Sequence, residues 1–171
     1  MIFIPGELIA MVTFPGIILH EIAHRFVCDI FKIPVYEVMY FEMDSSRAGH
    51  VIHQKVDSVT KNFLIAVAPL LFNTVVCMIF TFPYSSASYI TGDSIPNFFS
   101  AILWWIGMSA GINAFPSNQD VANLSCSEEE TTFFAGLVQL IVQCLNFLRR
   151  VWLDFLYAYG ISLILPYLIF G

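Results

Sequence analysis

Apolar positions along this chain fall into long blocks. Leu8–Cys28, Asn62–Phe82 and Asn97–Phe115 each run long enough to cross a bilayer at about 20 residues per helix. Val151–Phe170 is a fourth block, interrupted by Asp154 and Pro166, and Phe133–Leu148 is a shorter fifth. Around the fifth block Gln139, Gln143, Asn146 and Arg150 recur at helical spacing and form one polar stripe. It reads as an amphipathic helix at the inner membrane interface, opened by a capping box at Ser127-Glu128-Glu129-Glu130. Between the first two blocks the pattern changes. Val35–Glu42 and Gly49–Val56 are rich in Val, Tyr, Phe and Ile and flank a polar turn, Met43–Ala48, so they predict a β-hairpin starting after Pro34. The expected fold is an all-α polytopic membrane protein with a small cytoplasmic β-hairpin near the site described below. It has four transmembrane helices, or five if the polar stripe faces the bundle. Residues 1–171 form a single domain, with a core over 5–124 and an interfacial helix and last span over 127–171.

Composition narrows the class. The chain is 58% hydrophobic and only 12% charged, against about 25% charged in an ordinary soluble domain. A soluble fold of 171 residues has too much surface for its volume to hide that many apolar side chains. The formal net charge of -6 argues against nucleic acid as a partner and leaves the lipid bilayer. Arg25 lies near the end of the first block, Lys32, Arg47, Lys55 and Lys61 lie between the first and second blocks, and none of the basic residues lies in Tyr84–Pro96. The positive-inside rule then predicts a multi-pass protein, in the plasma membrane, with the first connection in the cytoplasm and the N-terminus outside. Arg149 and Arg150 fall inside too if Phe133–Leu148 does not cross. The first block lacks the basic flank of a signal peptide and reads as mature structure. Cys28, Cys77, Cys126 and Cys144 form no CxxC pair and read as buried small apolar residues.

The candidate chemistry sits in the first block. His20-Glu21-Ile22-Ala23-His24 is an HExxH sequence. Positions i and i+4 share a helix face, so two imidazoles can grip one metal ion, with Glu21 near enough to act on a water activated there. Composition alone yields about 0.004 chance matches to this pattern. Ionisable groups in a membrane helix cost about 2.5–3.5 kcal/mol each near its centre, which disfavours such a cluster without a function. A catalytic zinc ion usually has a third protein ligand. Asp120 fits, because it follows the inner end of the third block and Pro116 can turn the chain back. Cys28, Asp29, Glu37, Glu42, Asp154 and the Glu128–Glu130 run are weaker candidates. His50 and His53 point to opposite faces of a strand and cannot clasp a metal as a pair. Pro15-Gly16, just before His20, either kinks the helix or lets a neighbour approach closely.

In these motifs the chain resembles the site-2 protease family of intramembrane zinc metalloproteases. The resemblance rests on the HExxH in a span, on Ala68-Pro69-Leu70-Leu71-Phe72-Asn73 in the next span, and on Asn113-Ala114-Phe115-Pro116 with Asp120 soon after the third. It covers about residues 5–124. Asn73 lies four residues after Pro69 where the family has three, no Gly precedes Pro69, and no Gly follows Asp120. The resemblance implies Zn²⁺ held by His20, His24 and Asp120, with Glu21 as general base. The substrate is then a transmembrane protein, cleaved in or near its membrane helix, at a site near the cytoplasmic face. Asn113 or Asn73 would position the substrate or donate to the oxyanion, unless each makes only a helix–helix hydrogen bond. Gly49, His50 and Val51 on the hairpin would take up an unwound substrate strand, unless the hairpin merely covers the site. A non-proteolytic zinc-binding membrane protein, chaperone-like or transport-like, is the competing expectation.

Overall fold

The structure is a computed structural model that describes residues 6–43, 48–91, 97–124, 133–150 and 153–171. Among them the chain is mostly helical: α1 (Gly6–Val12), α2 (Phe14–Ile30), α3 (Val59–Thr91), α4 (Phe98–Ile112), α5 (Asn118–Leu124), α6 (Phe133–Arg150) and α7 (Leu153–Phe170), with β1 (Val35–Met39) and β2 (His50–His53) after α2. Two helices, α3 and α7, are long and apolar enough to cross a membrane. α2 and α4 are shorter, at 17 and 15 residues.

The first apolar block is two helices rather than one. Pro15 has no N–H to offer the preceding turn, and α1 ends at Val12 before α2 restarts at Phe14. The Thr13 hydroxyl and amide both donate to the Ile9 carbonyl, at 2.8 and 2.9 Å. The Val12 carbonyl accepts the Trp105 indole N–H at 2.9 Å. At its other end α2 closes on a Schellman motif. Lys32 takes the left-handed conformation (φ 54°), the Ile33 N–H donates to the Cys28 carbonyl at 2.8 Å, and Lys32 N–H donates to Asp29 at 3.1 Å. Ile33 and Cys28 then pack with Ile65 of α3 in one apolar cluster.

Pro34 follows and the hairpin begins. Its strands are antiparallel, pairing Val38 with Val51 and Met39 with His50, with an irregularity between Val35 and Glu37. The strands are shorter than the sequence suggests, and residues 44–47 of the turn lie outside the described residues. Nor does the hairpin stand free in the connection after α2. It runs back along that helix, so that the Phe41 ring meets Phe14, at the start of α2, at 5.7 Å between centroids.

α3 is the central helix. It packs on α2, α4 and α7. It also runs past Phe82 through Pro83 to Thr91, where a loop over Tyr84–Pro96 was expected. Residues 92–96 lie outside the described residues, as does the expected capping box at 127–130. Small residues allow close helix crossings. A Cβ on Gly111 of α4 would sit 2.7 Å from the Ala158 Cβ of α7 and 2.8 Å from the Cys77 sulfur of α3. α6 covers the predicted amphipathic segment and has three faces. Val138 and Val142 are buried against Val59, Ala66 and Val67 of α3, Leu137, Leu140 and Ile141 are exposed, and Gln139, Gln143 and Asn146 form the polar side.

Candidate metal centre

His20 and His24 lie one helical turn apart on the buried face of α2. Each Nδ1 meets a backbone carbonyl: that of Asn113 at 2.8 Å for His20 and that of Ile65 at 2.9 Å for His24. A carbonyl only accepts, so both Nδ1 atoms carry the proton and donate. Both Nε2 atoms are then left with lone pairs, which face each other at 3.2 Å. A metal-ligating histidine is commonly oriented in this way through its other ring nitrogen.

Asp120 completes the group. Its Oδ1 is 3.0 Å from His24 Nε2 and its Oδ2 is 3.4 Å from His20 Nε2. The carboxylate is aimed by a reciprocal cap at the start of α5. The Ser117 amide donates to Asp120 Oδ2 at 2.6 Å, and the Asp120 amide donates to the Ser117 hydroxyl at 3.3 Å. This is the capping-box arrangement with Asp in the Glu position, and the Ser117-x-x-Asp120 spacing was its signal in the sequence. Burial acts to raise the Asp120 carboxyl. When an Nε2 takes up a proton, the charge and hydrogen bonds of the His24 and His20 rings outweigh burial and hold it well below the usual carboxylate range.

The donor set fits a zinc ion. Bonds of about 2.0–2.2 Å at tetrahedral angles place ligand atoms about 3.3–3.5 Å apart. The two Nε2 atoms are 3.2 Å apart, the nearest Asp120 oxygens are 3.0 Å (Oδ1) and 3.4 Å (Oδ2) from them, and one ligand atom from each residue lies within 4.8 Å of the others. Two lone pairs and a carboxylate converging at that spacing in a buried site repel one another unless a cation or a proton lies between them. His20, His24 and Asp120 are the one group of three or more potential ligands found among the described residues.

The other candidates are engaged elsewhere. Asp29 pairs with Arg25 at 3.0 Å on the exposed side of α2. Cys28 is fully buried in its apolar cluster. Glu37 faces His50 across the hairpin at 3.6 Å. Asp154 accepts the Phe155 amide at 3.0 Å in the first turn of α7.

Glu21 is buried beside the histidines, and the hairpin lies over it. A Cβ on Gly49 would come within 2.9 Å of Glu21 Cγ and 3.1 Å of Glu21 Oε1. A cleft of about 20 Å³, enough to hold a water molecule, is lined by Glu21, His24, Asp120, His50, His53 and Asn123 among others. Asn123 of this lining was not singled out by the sequence. Val51 also borders the cleft.

Of the two expectations for the asparagines, the helix–helix hydrogen bond is the one seen. Asn113 Nδ2 donates to the Ser109 and Thr13 carbonyls at 3.0 and 3.4 Å. Asn73 Nδ2 donates to the Asn113 and Gly16 carbonyls at 3.0 and 3.3 Å. With those amide hydrogens committed to backbone, neither side chain is placed as an oxyanion donor, and both tie α2, α3 and α4 together. Asn73 does so while its own Oδ1 is buried without a hydrogen-bond partner among the described residues, an arrangement that costs about 1–3 kcal/mol. Gly16 sits in the same crossing, its amide donating to the Ser109 hydroxyl at 2.7 Å.

The chain matches no known protein family, no curated protein and no solved structure.

Proposed function

We propose that this chain is an intramembrane zinc metalloprotease of the site-2 protease kind, hydrolysing a peptide bond in or near a transmembrane helix of a substrate protein. One observation carries the reading: His20 Nε2, His24 Nε2 and the Asp120 carboxylate converge within 3.0–3.4 Å of one another, with both imidazoles oriented by backbone carbonyls. These three residues would hold the ion, which when bound acidifies water and polarises a carbonyl. Glu21 takes the proton of the attacking water as the oxygen adds to the peptide carbonyl carbon. It then passes the proton to the leaving amine as the C–N bond breaks. Asp120 stays ionised and keeps its alignment through Ser117.

In this reading four segments cross the membrane: the α1–α2 pair, α3, α4 and α7. α6 lies in the inner interface with its exposed Leu137, Leu140 and Ile141 toward lipid. Arg25 near the end of α2, Lys32 and Lys55 in the connection and Lys61 at the start of α3 stay on the cytoplasmic side. A substrate helix hides its peptide bonds in internal hydrogen bonds and must unwind locally. The free edge of β2, at Gly49–Val51 above Glu21, is where an extended strand would lie.

The test is direct. Purified wild type binds close to one zinc per chain and cleaves a model transmembrane substrate, while Glu21→Ala binds the metal without cleaving. Equal zinc binding by both with no cleavage of any helix would instead fit a non-proteolytic zinc-binding membrane protein. Absence of bound metal in wild type would overturn both readings.

A further inference from the structure

His24 is oriented by an acceptor that an ordinary helix would not offer. In an α-helix the carbonyl of residue 65 receives the N–H of residue 69. Residue 69 here is Pro69, inside α3, and proline has no N–H. Its ring also crowds the carbonyl four residues back. The Ile65 carbonyl therefore lacks its helical donor, and it is the group that receives the His24 Nδ1 proton at 2.9 Å, 41 residues away in the chain. Pro69 itself is fully buried. Pro83 lies in the same helix outside this contact and is a natural control.

We propose that Pro69 is a positioning residue of the metal centre: by withholding an N–H from the Ile65 carbonyl it reserves that carbonyl for His24, and so fixes which ring nitrogen faces the metal. The proposal rests on His20, His24 and Asp120 being the ligands. It adds that a residue touching neither metal nor substrate sets the affinity through one backbone atom. The effect follows from competition. A new N–H at position 69 enters the helical ladder, draws the Ile65 carbonyl back into it and loosens the His24 hydrogen bond. Outer-shell partners of this kind are worth about ten- to a hundredfold in metal affinity.

The experiment compares wild type, Pro69→Ala, Pro69→Ser and Pro83→Ala in detergent. Zinc and Co²⁺ dissociation constants are measured by chelator competition, together with the visible Co²⁺ spectrum and the thermal midpoint of the metal-free proteins. Both Pro69 variants are expected to bind about tenfold more weakly or worse, with an altered Co²⁺ spectrum, and to melt no lower than wild type because a helical hydrogen bond is gained. Pro83→Ala is expected to bind as wild type does. Unchanged affinity and spectrum in both Pro69 variants overturns the proposal. So does a loss of affinity that appears only alongside a lowered melting temperature, since that reads as repacking. Wild type that binds neither metal overturns the ligand assignment itself, and the proposal with it.

Discussion

The crossing of α2 and α4 at Gly16 sets the distance from His20 to its partner carbonyl, and its tolerance can be worked from the geometry. A Cβ at position 16 would lie 1.9 Å from the Ser109 carbonyl oxygen, 2.3 Å from its carbon and 2.8 Å from the Ala110 nitrogen. These are backbone atoms and cannot rotate away. Carbon–oxygen contacts settle at about 3.3–3.6 Å, so Gly16→Ala must part the two helices by about 1.4 Å there. Overpacking of this kind costs about 1–3 kcal/mol. The same separation stretches the Gly16 amide to Ser109 hydroxyl bond (2.7 Å), the Ser109 hydroxyl to Thr13 carbonyl bond (2.7 Å) and the Asn73 bond to the Gly16 carbonyl (3.3 Å). Each is worth about 1 kcal/mol net. Against this stands a helix-propensity gain of about 1 kcal/mol for Ala over Gly. The net loss is about 4 kcal/mol, or about 10 °C in melting temperature for a chain of this length. Thermal unfolding of the metal-free protein in detergent reads it, with Gly136→Ala as the matched control, since nothing lies within 4 Å of a Cβ there. A Gly16→Ala protein that melts within 2 °C of wild type would refute the close-crossing argument.

Glu21→Gln should keep the metal affinity within a few-fold and lower cleavage by at least 100-fold, the scale of a lost general base; retained turnover removes Glu21 from the mechanism. Asp120→Ala should reduce bound zinc well below one per chain, read by metal analysis after gel filtration, and full retention would send the third-ligand assignment elsewhere. Gly49→Ala should impair cleavage while leaving metal content intact, because the added Cβ, 2.9 Å from Glu21 Cγ and 3.0 Å from the Tyr40 carbonyl, displaces the base rather than the ligands; unchanged kcat contradicts the placement of the hairpin. Acid should release the metal, since protons compete with it for the two imidazoles. Asp120, held well below the carboxylate range, is not the group that gives way first. In the metal-free protein the same depression means that Asp120 contributes its stability above its unfolded value, near 3.9. That contribution is lost only as pH falls through the lower folded value, and Asp120→Asn should flatten the dependence in acid unfolding curves.

The three candidate ligands were legible because their signals are local or chemical. The i, i+4 spacing of His20 and His24 needs only a helix, and Pro116 announces the break that lets Asp120 return. Ser117 was equally legible, since its three-residue spacing to Asp120 marks a helix start, the same signal that was read at Ser127. Other features depend on contacts between distant segments. The strands of the hairpin could be read from their composition, but its course along α2 depends on Phe41 meeting Phe14. The polar stretch after Phe82 looked like a loop, yet α3 continues through it. Part of the reason is that Thr81 and Ser86 turn their hydroxyls onto the Cys77 and Pro83 carbonyls at 2.7 and 3.3 Å. Asn73 and Asn113 illustrate the limit from the other side. Their amides suit an oxyanion site by type, and only the carbonyls they meet assign them to helix crossings instead.

The breaks in the helices and the metal centre satisfy one another. In an apolar surround every backbone carbonyl needs an internal donor, and each proline or helix end leaves one without. Val12 precedes the Pro15 break and takes the Trp105 indole N–H. Pro116, which ends the stretch after α4, gives its carbonyl to Asn146 of α6 at 3.1 Å. Asn113, the last capping position of α4, and Ile65, opposite Pro69, take the two imidazole N–H groups. An imidazole N–H buried in the same surround is just as costly to leave unpaired. Freed carbonyls and histidines are therefore complementary requirements. Meeting them pairwise turns both Nε2 atoms toward the Asp120 carboxylate, which Ser117 holds in place. The orientation of the three side chains follows from backbone hydrogen-bond satisfaction, so the proposed metal site would be shaped without an ion to impose it.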